Sequence, residues 1–137
     1  MSLKKPVAAF AAAAVFLSLT GLAPSAMAKS KASAMKMWDS DNDQTLDLAE
    51  IQKPAADRYD DFSSGHADGV ARKDIGSRIS KKEFKSADTD SDGKLTKDEF
   101  MSLVEQMFKA ADPDNEGTLD AKELRTKAGN SLLRLTR

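Results

Sequence analysis

Three twelve-residue segments of this chain repeat one arrangement of carboxylate side chains. They span residues 39–50, 88–99 and 112–123, each with an acidic residue at its first, third and fifth positions and a glutamate at its twelfth. Short carboxylates at alternate positions, closed by a longer glutamate, can surround a cation with the oxygen ligands that hard multivalent ions prefer. One such run alone is also compatible with a solvated acidic turn. Three runs in register with the same apolar positions predict three cation sites.

The order of these residues matches an EF-hand loop, which supplies ligands from positions 1, 3, 5, 7, 9 and 12. Position 7 contributes its backbone carbonyl, and position 12 binds with both carboxylate oxygens. We call the three segments loops 1, 3 and 4. The predicted ligands are Asp39, Asp41, Asp43, Thr45, Asp47 and Glu50 in loop 1, Asp88, Asp90, Asp92, Lys94, Thr96 and Glu99 in loop 3, and Asp112, Asp114, Glu116, Thr118, Asp120 and Glu123 in loop 4.

Position 6 of an EF-hand loop makes a sharp turn that suits glycine, because glycine accepts a positive φ at little cost. Gly93 and Gly117 occupy this position in loops 3 and 4, but loop 1 has Gln44 there. A left-handed conformation costs a residue other than glycine about 1–2 kcal/mol. We therefore expect loop 1 to be a weakened site.

A fourth, degenerate unit occupies residues 63–74, which we call loop 2. With it the loops start at residues 39, 63, 88 and 112, which is a regular spacing. Ser63, Gly65 and Ala67 replace the first three carboxylates, and Asp74 at position 12 is too short for easy binding through two oxygens. We expect loop 2 to be a structural partner of another loop and not a strong site.

The connecting segments predict an all-α fold, a compact EF-hand repeat domain in which a small helical bundle carries four 12-residue loops. Residues 51–62, 75–87 and 100–111 have apolar side chains at near-helical spacing and predict one helix each. Pro54 should bend or restart the first of them. A last helix over about residues 122–135 should be broken at Gly129. The apolar residues at position 8 should pair between loops by a short β contact; they are Leu46, Val70, Leu95 and Leu119.

The first 28 residues have the order of a secretory signal peptide. Lys4 and Lys5 precede an apolar run over residues 7–19, and Ala26 and Ala28 form a small-residue cleavage site. The alternative is an uncleaved membrane anchor, but the apolar run is shorter than the roughly 20 residues that span a bilayer. We predict cleavage after Ala28, export to the periplasm, and a mature domain of residues 29–137.

Composition limits the partners of that mature domain. Removing Lys4 and Lys5 from the 21 basic residues leaves 19 against 22 acidic residues, a net charge of −3 with no basic stripe for nucleic acid. No second apolar stretch predicts a membrane span in the mature form. The chain has no cysteine and a single histidine, His66, so it has no zinc spacing and no nucleophile–base pair that would predict an enzyme.

Three features of the chain occur together: the signal peptide followed by four loops with short connectors, the run Asp112-Pro113-Asp114-Asn115 with proline at loop position 2, and the ending from Phe108 to Arg137. With these features the chain resembles the lanmodulin family of periplasmic lanthanide-binding proteins. The resemblance implies a three-helix bundle with peripheral metal sites, ordering on metal binding, and trivalent lanthanide ions. The sequence departs from the family pattern at Ser40, Thr89 and Thr96.

The residues themselves leave the bound ion open between Ca²⁺ and lanthanide(III). Loops 1 and 4 each offer five carboxylates and loop 3 offers four, which permits a preference for trivalent ions in loops 1 and 4. The alternatives are a periplasmic calcium buffer or sensor and a module that docks a protein partner in a metal-dependent way. Methionines that could form a docking groove, including Met37 and Met107, are interpreted as core residues.

Overall fold

Helices and short strands alternate along the chain in the computed structural model, which describes residues 34–137. The predicted signal peptide and its cleavage site lie outside the described residues. Residues 34–38 are helical. The elements that follow are β1 (Leu46–Asp47), α1 (Leu48–Ser63), β2 (Val70–Ala71), α2 (Arg72–Ile75), a 3₁₀ turn (Gly76–Arg78), α3 (Lys81–Ala87), β3 (Lys94–Leu95), α4 (Lys97–Ala111), β4 (Thr118–Leu119), a second 3₁₀ turn (Glu123–Arg125) and α5 (Lys127–Leu135).

The four loops pair through two antiparallel two-stranded ribbons. Strand β1 of loop 1 pairs with β4 of loop 4, with Leu46 opposite Leu119. Strand β2 of loop 2 pairs with β3 of loop 3, with Val70 opposite Leu95. The predicted β contact at position 8 is confirmed. The first and last loops of the chain are therefore held side by side.

The core lies between the ribbons and the helices, and α4 runs through its centre against α1, α3 and α5. Phe100 on α4 is fully buried and meets the rings of Tyr59 at 5.4 Å and Phe62 at 6.3 Å between centroids. The Tyr59 hydroxyl donates to the backbone carbonyl of Leu95 at 3.2 Å, which ties α1 to the loop 3 strand. Met107 is buried as predicted, but Met37 is 73% exposed and is not a core residue.

Loops 1, 2 and 3 each end inside the first turn of the next helix, so α1, α2 and α4 begin about three residues earlier than predicted. In loops 1 and 3 the side chain at position 9 accepts a bond from the amide at position 12, and the glutamate at position 12 accepts one from the amide at position 9. In loop 1, Asp47 accepts from the Glu50 amide at 2.8 Å, and Glu50 Oε2 accepts from the Asp47 amide at 3.1 Å. Thr96 and Glu99 form the same capping box before α4. One pair of side chains therefore serves both loop and helix, because a capping box has the same spacing as positions 9 and 12.

The segment predicted as one helix over residues 75–87 is instead broken. Helix α2 ends at Ile75, and Gly76 has φ +66° and ψ −135°, a conformation that cannot continue a right-handed helix. A 3₁₀ turn follows, and then Ser80 caps α3 by accepting from the Glu83 amide at 3.1 Å. Two local signals, a glycine in positive φ and a serine cap, outweigh the helical spacing of the apolar residues.

Two other interruptions were predicted, at Pro54 and at Gly129. Helix α1 is continuous through Pro54 and does not restart there, and the buried side chains of Ile51, Ala55 and Tyr59 hold it on both sides of the proline. In the last helical segment the break lies at Thr126 and not at Gly129. Thr126 caps α5 by accepting from the Gly129 amide at 3.0 Å. Among residues 34–137, no helix has the length and apolarity needed to cross a bilayer.

Candidate metal sites

Carboxylate oxygens converge at three places, one in each loop predicted to bind a cation. In each group one oxygen from every member lies within 4.8 Å of the others. The groups are Asp39, Asp41 and Asp43 in loop 1, Asp88, Asp90 and Glu99 in loop 3, and Asp112, Asp114 and Glu123 in loop 4. Glu50, Asp92 and Glu116 lie outside these compact groups. The residues at positions 1 and 3 are thus brought together in all three loops.

A shared backbone frame holds the position 1 aspartate in every one of these loops. In loop 4, Asp112 accepts from the amide of Glu116 at 3.2 Å and from the amide of Gly117 at 3.0 Å. The amides at positions 5 and 6 make the same two bonds to Asp39 and to Asp88. These bonds fix the carboxylate with its loop already curled, which lowers the entropy cost of enclosing an ion.

Position 6 takes the left-handed conformation in all three loops, as the sequence predicts. The φ angles are +71° at Gln44, +83° at Gly93 and +84° at Gly117. Sequence reasoning missed a second left-handed residue at position 4, where Asn42, Ser91 and Asn115 have φ near +60°. Asparagine is among the residues that tolerate this region best, so two of the three carry a sequence signal that could have been used.

Replacing Gln44 with glycine is expected to stabilise the metal-free protein by up to about 1 kcal/mol. Relief of a left-handed conformation gains about 1–2 kcal/mol, and the added freedom of glycine in the unfolded chain costs about 0.5–1 kcal/mol. Urea unfolding followed by circular dichroism measures the difference. The matched control is Gly93→Ala, whose added Cβ would meet open space, so only its positive φ matters. That variant should be destabilised, and the same sign for both changes would contradict the strain argument.

The glutamates at position 12, which we call the closing glutamates, differ in the hydrogen bonds made to their Oε1 atom, which we call the outer oxygen. In loop 3, Glu99 Oε1 accepts from the amide of Thr89 at 2.9 Å and from its hydroxyl at 2.6 Å. Ser40 makes the same pair of bonds to Glu50 Oε1 in loop 1, at 2.5 and 2.8 Å. In loop 4 the matching residue is Pro113, which has neither an N–H nor a hydroxyl.

As a result Glu123 Oε1 is buried with no hydrogen-bond partner within the described part of the chain. The other oxygen, Oε2, keeps its capping bond from the Asp120 amide at 2.9 Å. A buried carboxylate oxygen without a donor is costly, and a cation is the partner that would satisfy it. One carboxylate oxygen of Glu123 lies in the same group as oxygens of Asp112 and Asp114, so the residues present fit a hard cation in loop 4.

The pKa values of the closing glutamates follow this difference. Hydrogen bonds from the Thr89 hydroxyl, and then from Thr96 and the Thr89 amide, lower the pKa of Glu99 to about 2. Burial raises the pKa of Glu50, but its bonds from Ser40 and Asp47 outweigh burial and the net shift is downward. Burial, together with the nearby aspartates of loop 4, raises the pKa of Glu123.

Loop 2 has the structural contacts expected of a partner loop. Within residues 63–74 the structure gathers no group of three metal-binding side chains. Asp74 caps the next helix by accepting from the Ala71 amide at 3.1 Å, and Asp68 forms an ion pair with Lys94 of loop 3 at 3.4 Å. A Cβ on Gly69 would lie 2.8 Å from the carbonyl oxygen of Leu95, so a glycine is needed where the two loops approach.

The comparisons with known proteins agree with this geometry in the second half of the chain. The family model described as EF hand matches residues 81–104 and 103–126, which contain loops 3 and 4 with the helices around them. No curated protein matches the chain. Loops 1 and 2 lie outside the matched residues. Two EF-hand motifs are therefore present in a largely helical chain, and they support its identification as an EF-hand protein.

Proposed function

We propose that this protein is an exported metal-binding protein that takes hard cations, lanthanide(III) or Ca²⁺, in loops 1, 3 and 4 and tightens when they bind. The observation that carries the proposal is the convergence of carboxylates in these three loops on the same backbone frame. The proposed ligands are those predicted from the sequence. The group of Asp112, Asp114 and Glu123 has the strongest support among them, because Glu123 Oε1 is buried without a donor in the described part of the chain.

The number of carboxylates supports a preference for trivalent ions over calcium at two of the proposed sites. Each carboxylate attracts a trivalent ion half as strongly again as a divalent ion at the same distance, and the cost of dehydrating the ion rises as well. The gain therefore depends on the number of carboxylates, which is five in loops 1 and 4 and four in loop 3. We propose that loops 1 and 4 prefer lanthanide ions, so that the protein sequesters or carries them.

Metal binding should tighten the fold because the sites lie on its two ribbons. Clustered carboxylates repel one another in the metal-free protein, and a cation replaces that repulsion with attraction. Loops 1 and 4 share one ribbon, so an ion in either loop also restrains the other through β1 and β4. Ordering on metal binding would follow from this connection.

Export and the choice of partners rest on composition. Residues 1–28 have the charged, apolar and small-residue regions of a signal peptide, which supports a periplasmic location. The acidic balance of residues 29–137 disfavours nucleic acid, so metal ions are the proposed partners. We propose a binding role and not catalysis, since coordination already explains the spacing of the carboxylates.

Titration of the demetallated protein with La³⁺ and with Ca²⁺, followed by circular dichroism, tests this function. We expect binding of both ions and a midpoint for La³⁺ well below that for Ca²⁺. Comparable midpoints would replace the lanthanide proposal with a calcium buffer or sensor, and binding of neither ion would contradict the function as a whole. Asp57→Asn is the control, because this exposed carboxylate of α1 lies outside the loops and the three groups, so its loss should leave both midpoints unchanged.

A further inference from the structure

The residue at position 2 decides what the closing glutamate contacts before a cation arrives. Ser40 and Thr89 each give two hydrogen bonds to the outer oxygen of the glutamate in their own loop. Pro113 gives none, and Glu123 Oε1 is left buried without a donor within residues 34–137. Every closing glutamate also keeps its second oxygen on the amide at position 9, and in loop 3 the Thr96 hydroxyl donates to that oxygen as well.

These bonds compete with the cation for the same atom. A closing glutamate binds an ion with both oxygens. In loops 1 and 3 the outer oxygen must weaken or give up bonds from an N–H and an O–H, and bonds to a charged acceptor are among the stronger ones. In loop 4 no such bond is lost. The metal-free state of loop 4 is also the least favourable, because Glu123 Oε1 is buried without a donor among the described residues and the Glu123 carboxylate groups with those of Asp112 and Asp114.

We propose that position 2 sets the order in which the sites fill, and that Pro113 makes loop 4 the first to bind. This inference rests on the proposed function, since it presumes that the loops bind cations. Loop 1 should fill after loop 4 even though it offers as many carboxylates, because Ser40 holds Glu50. Loop 3 should also follow loop 4, because Thr89 holds Glu99.

The residue before position 2 has a backbone conformation that permits a proline in loop 3 as well as in loop 4. The residue before a proline must avoid the helical region. Asp112, which precedes Pro113, has φ −104° and ψ +82°, and Asp88, which precedes Thr89, has φ −72° and ψ +87°. The two aspartates thus have similar ψ angles outside the helical region. Proline at residue 89 should therefore fit loop 3 without changing its backbone conformation.

Two reciprocal substitutions test the proposal within single loops, where the number of carboxylates stays constant. Pro113→Ser supplies both donors and should weaken binding in loop 4 by about tenfold, which corresponds to about one hydrogen bond to a charged group. Thr89→Pro removes both donors and should tighten binding in loop 3 by a similar factor. If Pro113→Ser leaves loop 4 affinity unchanged, or Thr89→Pro fails to tighten loop 3, the proposal is wrong.

Two further variants separate the donors from the stiffness of proline. Pro113→Ala loses the ring and restores the N–H but supplies no hydroxyl, so loop 4 should bind more weakly than in the natural protein and more tightly than with serine. Equal affinities for the alanine and serine variants would contradict a contribution from the hydroxyl bond. Thr89→Val keeps the N–H and removes the hydroxyl, so the cation affinity of loop 3 in this variant should lie between the affinities of its threonine and proline forms.

The position 6 amides allow each site to be followed by itself. The amides of Gln44, Gly93 and Gly117 each donate to the position 1 aspartate of their own loop, so each should shift when that aspartate binds an ion. When the purified protein is titrated with diamagnetic La³⁺ and followed by ¹H–¹⁵N NMR, the amide resonance of Gly117 should shift first. Movement of Gly93 or Gln44 first, or of all three together, would overturn the order while leaving the proposed function intact. If none of the three amides moves, the proposed function fails as well.

Discussion

Replacing both Glu99 and Glu123 with alanine is expected to remove two of the three cation sites and leave only the group around Asp39. Each glutamate is the proposed two-oxygen ligand of its loop. Removing a residue that only hydrogen-bonds to a metal ligand already lowers metal affinity about 10–100-fold. Removing the ligand itself should therefore cost at least about 100-fold at each site. Isothermal titration calorimetry with La³⁺ measures the number of ions bound per chain.

The design must separate metal binding from helix capping. Glu99 and Glu123 also accept the backbone bonds that begin the following helical segments, so alanine removes a cap together with a ligand. Glutamine at both positions keeps an acceptor oxygen but removes the charge, and should lose the same sites with less loss of stability. The matched control is Glu105→Ala, since Glu105 only forms an ion pair with Lys109 on α4. Unchanged stoichiometry in the double variants would mean that the ligand assignment is wrong.

Gly129→Ala is expected to destabilise the metal-free protein by about 2 kcal/mol. A Cβ at residue 129 would lie 2.3 Å from the carbonyl oxygen of Glu123 and 2.6 Å from the Cα of Leu124. Both are backbone atoms, so no side chain can rotate away, and overpacking of this kind typically costs about 1–3 kcal/mol. The better helix propensity of alanine, about 1 kcal/mol, offsets only part of the clash.

Urea unfolding of the variant measures this loss. Ser131→Ala on the same helix is the control and should stay within about 0.5 kcal/mol of the natural protein, because its side chain is only partly buried. The clash displaces the backbone that carries Glu123, so Gly129→Ala should also weaken cation binding in loop 4 and not in loop 3. A stable Gly129→Ala variant would show that α5 can move away from loop 4 at little cost.

The sequence by itself determined the loops and their chemistry. Carboxylates at alternate positions, glycine at position 6 and leucine or valine at position 8 are local signals, and each acts within about twelve residues. For this reason the left-handed turns at Gly93 and Gly117 and the burial of Leu95 and Leu119 could be predicted. The degeneracy of loop 2 was also visible, since a ligand that is absent from the sequence cannot be supplied by the fold.

Tertiary structure decided what depends on residues far apart in the chain. The pairing of loop 1 with loop 4 and of loop 2 with loop 3 has no local signal, because any apolar residue at position 8 can pair with any other. Gly129 is a second case in which the local sequence was not enough. A glycine within the last helical segment predicted a helix break, whereas the structure requires glycine because α5 packs closely against the backbone of Glu123.

The contact between loop position 2 and the closing glutamate combines both kinds of information. Pro113 stood out in the sequence only as a mark of resemblance. Its physical effect became visible once the folded loop brought position 2 beside position 12, where Ser40 and Thr89 donate hydrogen bonds and Pro113 cannot. The sequence thus determined which atoms each loop offers to a cation. The fold decided which of those atoms are already hydrogen-bonded, because that depends on how a loop closes on itself.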